Sequence, residues 1–446
     1  MDFVPHTSED DRAMLETVGA ADVAALFDAI PGDVRLDRLL DVPPALSEIE
    51  LLDHLAALAR RSAAADLVCF AGGGAYDHHV PSAVRALASR AEFSTSYTPY
   101  QPELSQGVLQ AIFEFQSLVC ELYGLDVANA SLYDGASALA EAVNLAVRVT
   151  DRGRAVVAAT VPPAYRAVLE TYTRGIDLAI DVVPCRDDGT VGWTDVDARD
   201  AAAVVVASPS YFGTIEDVGA AAAVAHDAGA LCVAVSDPTA TGILEPPGAL
   251  GADVAVGEGI ALGNALSYGG PAVGLFATSA RHVRQVPGRI AGETVDADGR
   301  RAYVLTLQAR EQHIRRARAT SNVCTNQTLM AIAAAVHLSW LGPDGLARLG
   351  ELCLRNTAYA AGCLAEVAGC RVRFDAPRFK ELVLETPVPG DELVRALAQH
   401  GILVGPALGR DYPELERCVL VAVTERRTED DVATLVEAVE KVLAER

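Results

Sequence analysis

Only two side-chain amines in this sequence could condense with a carbonyl group, Lys380 and Lys441; the other 34 basic residues are arginine. Base composition of a genome can produce such a skew, so the positions matter more than the scarcity. Lys441 falls in a C-terminal amphipathic stretch, most simply on its solvent face. Lys380 falls in Phe379-Lys380-Glu381. Asp237 is the second candidate. It follows the apolar run Leu231–Val235, within Ser236-Asp237-Pro238-Thr239. A carboxylate at a strand end can pair with a cationic ligand group, or it can simply hold the turn before Pro238. A second apolar run, Val254–Val256, comes next, and then the glycine-rich Tyr268-Gly269-Gly270-Pro271, which also suits a tight turn. No lysine lies between Gly257 and Pro271.

Other segments carry weaker signals. Asp134-Gly135-Ala136-Ser137 opens a helical stretch through Glu141 and Val147; its N–H groups could hold a phosphate, but Asp134 would repel one, and helix capping is the preferred reading. Tyr97–Gly107 places two tyrosines on a proline-stiffened segment, which suits an interface, a pocket wall or a buried loop. Gln308–Arg318 reads as a basic helix, able to dock an acidic partner or to form a solvated face with ion pairs. The run Ser321–Gln327 offers hydrogen-bond donors or a cap for the next helix, and Cys324 has no base near it in sequence to make it a nucleophile. Nine scattered cysteines without CxxC spacing read as buried free thiols, with no metal site and no disulfide frame.

These residues need a scaffold. Thr7-Ser8-Glu9-Asp10 is a capping box that starts a helix at about Ser8; a short helix at Ala20–Ala29 and a third capped by Ser47 complete an N-terminal helical arm, residues 1–62. From Asp66, short β-branched runs (Ala155–Ala159, Val182–Pro184, Ala203–Ala207, Leu231–Val235, Val254–Val256) alternate with helical stretches such as Ala164–Thr173 and Val218–Ala228. Apolar strands without polar alternation, separated by helices, predict a mostly parallel sheet covered on both faces. That gives an α/β large domain at 63–325. A long apolar helix, Asn326–Leu341, ending at Gly342-Pro343, then opens a smaller C-terminal α+β domain at 326–446.

A net charge of −24 argues against nucleic acid or an anionic membrane as the main partner. With 51% hydrophobic residues the chain is globular rather than disordered. No stretch of 18 apolar residues and no basic, apolar leader is evident, so a soluble cytoplasmic protein is expected.

The order Asp237, strand, glycine-rich turn resembles the large pyridoxal-phosphate (PLP) transferase fold, the aminotransferase-like fold type I. There, an aspartate pairs with the pyridinium nitrogen and a lysine after the next strand binds the cofactor. The lysine position falls near Ala261, and neither Lys380 nor Lys441 follows a core strand of the large domain. On this reading no lysine of the chain binds PLP covalently. Longer runs resemble the P-protein of the glycine cleavage system, specifically the first subunit of its split form: Phe3-Val4-Pro5-His6-Thr7, Gly74–Pro81, Tyr97–Gly107, Gly124–Gly135, Gly257-Glu258-Gly259, Gly269-Gly270-Pro271, Pro287-Gly288-Arg289, Gly292–Asp296, Arg300–Gln327 and Val423-Thr424-Glu425. The likeness spans essentially the whole chain. Ile260-Ala261-Leu262, Tyr268 and Ala272 depart from the pattern.

The resemblance implies a glycine dehydrogenase (aminomethyl-transferring, decarboxylating), an oxidoreductase of glycine catabolism. PLP resides on a lysine-bearing second subunit in an α2β2 heterotetramer; glycine loses carbon dioxide, and its aminomethyl group passes to lipoylated H-protein. It implies no catalytic, cofactor-binding or metal-ligating residue on this chain. Tyr97, Tyr100, Gln101, Glu103, Asn322 and Thr325 are expected as interface or substrate-channel contacts. Two other readings compete: a non-catalytic interaction or regulatory protein on a degenerate PLP fold, and a self-sufficient PLP aminotransferase, which needs a lysine in the pocket.

Overall fold

Strands that are apolar at every position have no face to offer to water, and here they form the interior of a seven-stranded sheet. The computed structural model describes residues 5–36, 38–62 and 64–445, so Phe3 and Val4 of the first motif lie outside the described residues. The chain forms two compact units, Met1–Ala65 and Asp66–Arg446.

In the first unit, Thr7 accepts a hydrogen bond from the Asp10 N–H while the Asp10 carboxylate accepts from Thr7, and Ser47 and Glu50 repeat the arrangement. These caps start the helices Ser8–Val18 and Glu48–Ala59. The intervening helix is shorter than its sequence suggests, one 3₁₀ turn at Ala24–Phe27. Neither α-helix buries a residue.

In the second unit the sheet runs Val127–Ala128, Gly274–Thr278, Val254–Glu258, Leu231–Val235, Ala203–Ala207, Arg154–Ala158, Ala179–Val183. The last five are mutually parallel; Gly274–Thr278 is antiparallel to both of its neighbours. Helices Gly135–Thr150, Pro163–Thr173 and Val218–Asp227 cover it. Arg371–Val372, Glu381–Glu385 and Cys418–Ala422 form a small antiparallel sheet. Strand Val68–Ala71, which the sequence reading places with the large domain, pairs instead with Ile402–Gly405. Only long-range pairing could reveal that.

One expectation changes. The basic run Gln308–Arg318 is not one helix but three short turns, broken because Arg310 is drawn inward to the carbonyls of Val286 and Gly288. The helix Thr328–Ala365 is, by length and mean hydropathy, able to cross a membrane. It is alanine-rich and packs residues such as Ala331, Ile332 and Ala334 into the core, and Gly342, at φ 62°, breaks it where Gly342-Pro343 predicts an end.

Candidate functional site

Parallel strands end together, and their carboxyl ends leave a crevice that chain crossovers do not fill. Here that crevice is lined by Ser236 and Asp237 after one strand, Gly257 and Glu258 at the end of the next, and Tyr76, Tyr165, Ala261 and Lys380. Asp237 serves both roles that its sequence position allows. Its Oδ1 accepts from the N–H and hydroxyl of Thr239, at 2.9 and 2.6 Å, which holds the turn. Its Oδ2 lies 2.6 Å from Nζ of Lys380.

That contact corrects the sequence reading. Lys380 does belong to the small-sheet segment, immediately before strand Glu381–Glu385, but its side chain enters the crevice of the large sheet and is only 2% exposed. Gly213 makes the approach possible: its φ is +81°, and a Cβ there would lie 2.1 Å from the Glu381 carbonyl oxygen. Burial pushes Asp237 upward; the Lys380 ammonium and the hydrogen bonds from Lys380 and Thr239 outweigh it and hold the carboxyl below its usual range.

The ammonium is satisfied on several sides. It lies 3.2 Å from Thr239 Oγ1, 3.0 Å from His78 Nε2, and 3.8 Å from the centre of the Tyr76 ring. Burial and the Lys380 charge push the His78 imidazole down, and an ammonium can only donate. Nε2 then accepts from Lys380, so Nδ1 carries the proton and donates to Glu425 Oε2 at 2.7 Å. Glu425 also accepts from the His79 N–H. Burial alone would raise Glu425; the hydrogen bonds it accepts from His78 and the His79 N–H outweigh that and hold the carboxyl below its usual range. The segments Gly74–Pro81 and Val423-Thr424-Glu425, separate in sequence, thus meet. His78, Cys353 and Glu425 could in principle hold a metal. The hydrogen-bond chain already satisfies His78 and Glu425, and burial pushes the Cys353 thiol up to about 12, which disfavours the thiolate a metal needs.

Glu258 also lines the crevice. Its carboxyl accepts from the N–H groups of Gly135, Ile260 and Val273, at 2.9, 3.0 and 3.1 Å. Gly135 is the first residue of helix Gly135–Thr150, whose N-cap is Asp134, as the capping reading expects. Burial raises Glu258 to about 7 despite the three donors.

None of the expected interface residues lies in this crevice. Tyr97 is 97% exposed, and Gln101, Glu103, Asn322 and Thr325 are exposed as well. Two of their segments do meet at Arg289. It donates to the Tyr100 hydroxyl and the Cys324 carbonyl, its guanidinium lies 4.1 Å from the Tyr100 ring centre, and it ion-pairs with Glu311 at 3.3 Å. The nine cysteines are free, but only Cys232, Cys353 and Cys418 are fully buried, and Cys324 is exposed. The sequence did not point to Lys380 and Glu258 as crevice residues, nor to His78 and Glu425 as the side chains linked to Lys380. Three of them sit in the quoted family runs, and nothing in their spacing showed that they converge.

The sheet and the crevice at its strand ends define the class, a PLP-transferase fold of type I. A sphingosine-1-phosphate lyase of Burkholderia pseudomallei shares it with a TM-score of 0.67 at 15% identity, over 93% of this chain and 95% of that one. The family model described as "Glycine cleavage system P-protein" matches residues 1–439, and the chain belongs to that family. A protein of Desulforamulus reducens named probable glycine dehydrogenase (decarboxylating) subunit 1 is 50% identical, covering 98% of both chains. One of the same name from Moorella thermoacetica is 47% identical over 100% of both. A crystal structure of glycine decarboxylase (P-protein), in inhibitor-bound form, superposes with a TM-score of 0.92 at 45% identity, covering 99% of this chain and 100% of that one.

The fold implies PLP, but this crevice does not fit it. Lys380 is the lysine that lines the crevice, and Lys380 cannot hold the cofactor. The ring nitrogen and the aldehyde carbon lie at opposite ends of the pyridine ring. Asp237 cannot pair with one end while the amine touching that same carboxylate condenses with the other. The remaining space is about 60 Å³, far below the roughly 300–1,000 Å³ of small-molecule sites.

Proposed function

We propose that this chain is the PLP-free subunit of a split glycine decarboxylase of the glycine cleavage system. PLP is then carried by a lysine-bearing second subunit in an α2β2 assembly, which decarboxylates glycine and passes the aminomethyl group to lipoylated H-protein. One observation carries the reading: the chain has the fold of its family along its whole length, yet the lysine in its crevice is bound to the aspartate that PLP would need. The chemistry therefore falls to another chain, and this one supplies a wall. The exposed patch of Tyr97, Tyr100, Gln101, Glu103, Asn322 and Thr325 suits that wall, being aromatic and polar and built on a buried Arg289–Glu311 pair. The exposed Leu39, Leu40, Ile49 and Leu52 of the N-terminal unit support a second contact with the same partner, because apolar side chains in such number are normally covered in an assembly.

The test is exchange of labelled bicarbonate into the glycine carboxyl group, with PLP and lipoylated H-protein. It is run on this chain, on the lysine-bearing chain, and on the two co-expressed. Exchange confined to the mixture, with a 1:1 ratio of chains by mass, is the expected result. Exchange by this chain alone would refute the assignment, and a mixture without exchange or complex would favour a regulatory protein.

A further inference from the structure

We propose that Lys380 and Glu258 are built-in stand-ins for the two charged ends of a PLP molecule: the ammonium for the protonated ring nitrogen, the carboxyl for the phosphate. The inference rests on the fold and the crevice, and it holds whatever reaction the partner performs.

At one end, an aspartate after a parallel strand is the group that stabilises a pyridinium nitrogen. Asp237 has that position, and its free oxygen is taken by Nζ of Lys380 at 2.6 Å. A carboxylate buried there without a cation would carry a large desolvation cost. At the other end, the N-terminus of a 16-residue helix offers N–H groups and a positive dipole end, the usual seat of a phosphate. The Gly135 N–H points to Glu258 instead, and two further backbone N–H groups join it. A phosphate would meet the carboxyl groups of both Glu258 and Asp134. The Tyr76 ring covers the ammonium at 3.8 Å, and about 60 Å³ of the crevice is left.

The arrangement has a thermodynamic meaning. A cofactor that binds only the folded state stabilises it by mass action, in proportion to how far its concentration exceeds Kd. Here the cation is delivered by the chain itself. Lys380 adjoins the small sheet, Asp237 follows a strand of the large one, and the His78–Glu425 link extends the connection. The crevice is held together at any cofactor concentration. Such a chain folds and waits for its partner without competing for PLP.

The probe is pyridoxamine 5′-phosphate, which carries both charged ends but forms no adduct with surface amines. Equilibrium dialysis of the full chain is expected to show no saturable binding up to about 1 mM, and Lys380→Ala/Glu258→Ser to bind at least about tenfold more tightly than wild type. Thermal unfolding supplies a second, independent reading. Lys380→Ala melts several degrees earlier than wild type, and n-propylammonium chloride raises its Tm, while wild type and Lys441→Ala show no response beyond that to sodium chloride. If the double variant does not fold, the alkylammonium response of Lys380→Ala decides alone. Saturable sub-millimolar binding by the wild type overturns the proposal, as does a Lys380→Ala protein with unchanged Tm and no alkylammonium response.

Discussion

Nζ of Lys380 and Oδ2 of Asp237 lie 2.6 Å apart, one side chain reaching from beside the small sheet and the other standing past the carboxyl end of a central strand of the large one. Removing one partner from such a buried pair leaves an uncompensated charge and costs about 3–5 kcal/mol. Lys380→Met is expected to lose stability on that scale in urea titrations. Lys380→Met/Asp237→Asn should recover part of it, because the amide removes the buried charge while its oxygen still accepts from Thr239. Equal losses in the single and double variants would show that the pair is not coupled.

The share of stability held by Glu258 and Glu381 should fall between mildly acidic and neutral pH, against the opposite trend of His78, His282 and His337, whose imidazoles burial pushes down. Burial raises both Glu258 and Glu381 from 4.5 to about 7, so the folded chain binds these two protons more tightly than the unfolded one. Their contribution is complete below about pH 4.5 and is lost as pH rises through about 7. Glu425, held below its usual range, works in the opposite sense and is lost only as pH falls below 4.5. Urea midpoints at a series of pH values would show the net trend, and Glu258→Gln should remove part of the decline. An unchanged slope in that variant would assign the decline to other groups.

Gly213 is a further point of sensitivity. At φ +81°, with the Glu381 carbonyl 2.1 Å from where a Cβ would stand, even alanine must displace the strand that follows Lys380. Gly213→Ala should destabilise the chain by more than about 2 kcal/mol, with the largest loss of amide-exchange protection in Glu381–Glu385. Gly299 has equally positive backbone geometry but open space around it, so Gly299→Ala should cost only its backbone strain.

Arg289 carries the prediction for the exposed patch. Its guanidinium ties Tyr100 to the Cys324 carbonyl and to Glu311, contacts that need a planar fork of donors. Arg289→Lys should keep the fold but loosen both segments, and weaken binding of the lysine-bearing subunit by about tenfold. Titration of the two purified chains would measure it; unchanged affinity would move the interface elsewhere.

The helix caps of the N-terminal unit give a local test. Thr7→Ala and Ser47→Ala each remove a capping box. Each should cost about 1 kcal/mol of helix stability, seen as faster amide exchange confined to Ser8–Val18 or Glu48–Ala59. A uniform change across the chain would mean that the caps do more than hold their own helices.

Whatever depends on neighbours along the chain could be read from the residues alone. Strands such as Ala203–Ala207 and Leu231–Val235 stand where the apolar runs put them, because a segment apolar on both faces is stable only inside a covered parallel sheet. The caps at Thr7, Ser47 and Asp134 are equally local, and the want of a lysine near Ala261 was plain from composition and order. The surroundings of Asp237 depend on the folded chain. Lys380, His78, Glu258 and Glu425 come from four separate stretches, and no periodicity links them. Their meeting depends on how closely the Phe379–Glu381 backbone approaches Gly213, a packing distance rather than a pattern. For the same reason Arg310, a surface charge by composition, turned inward once carbonyls of a distant segment came within reach. Hydrophobic order specified the scaffold; the positions of charges, whose energies depend on burial and partners, were fixed only when the chain closed.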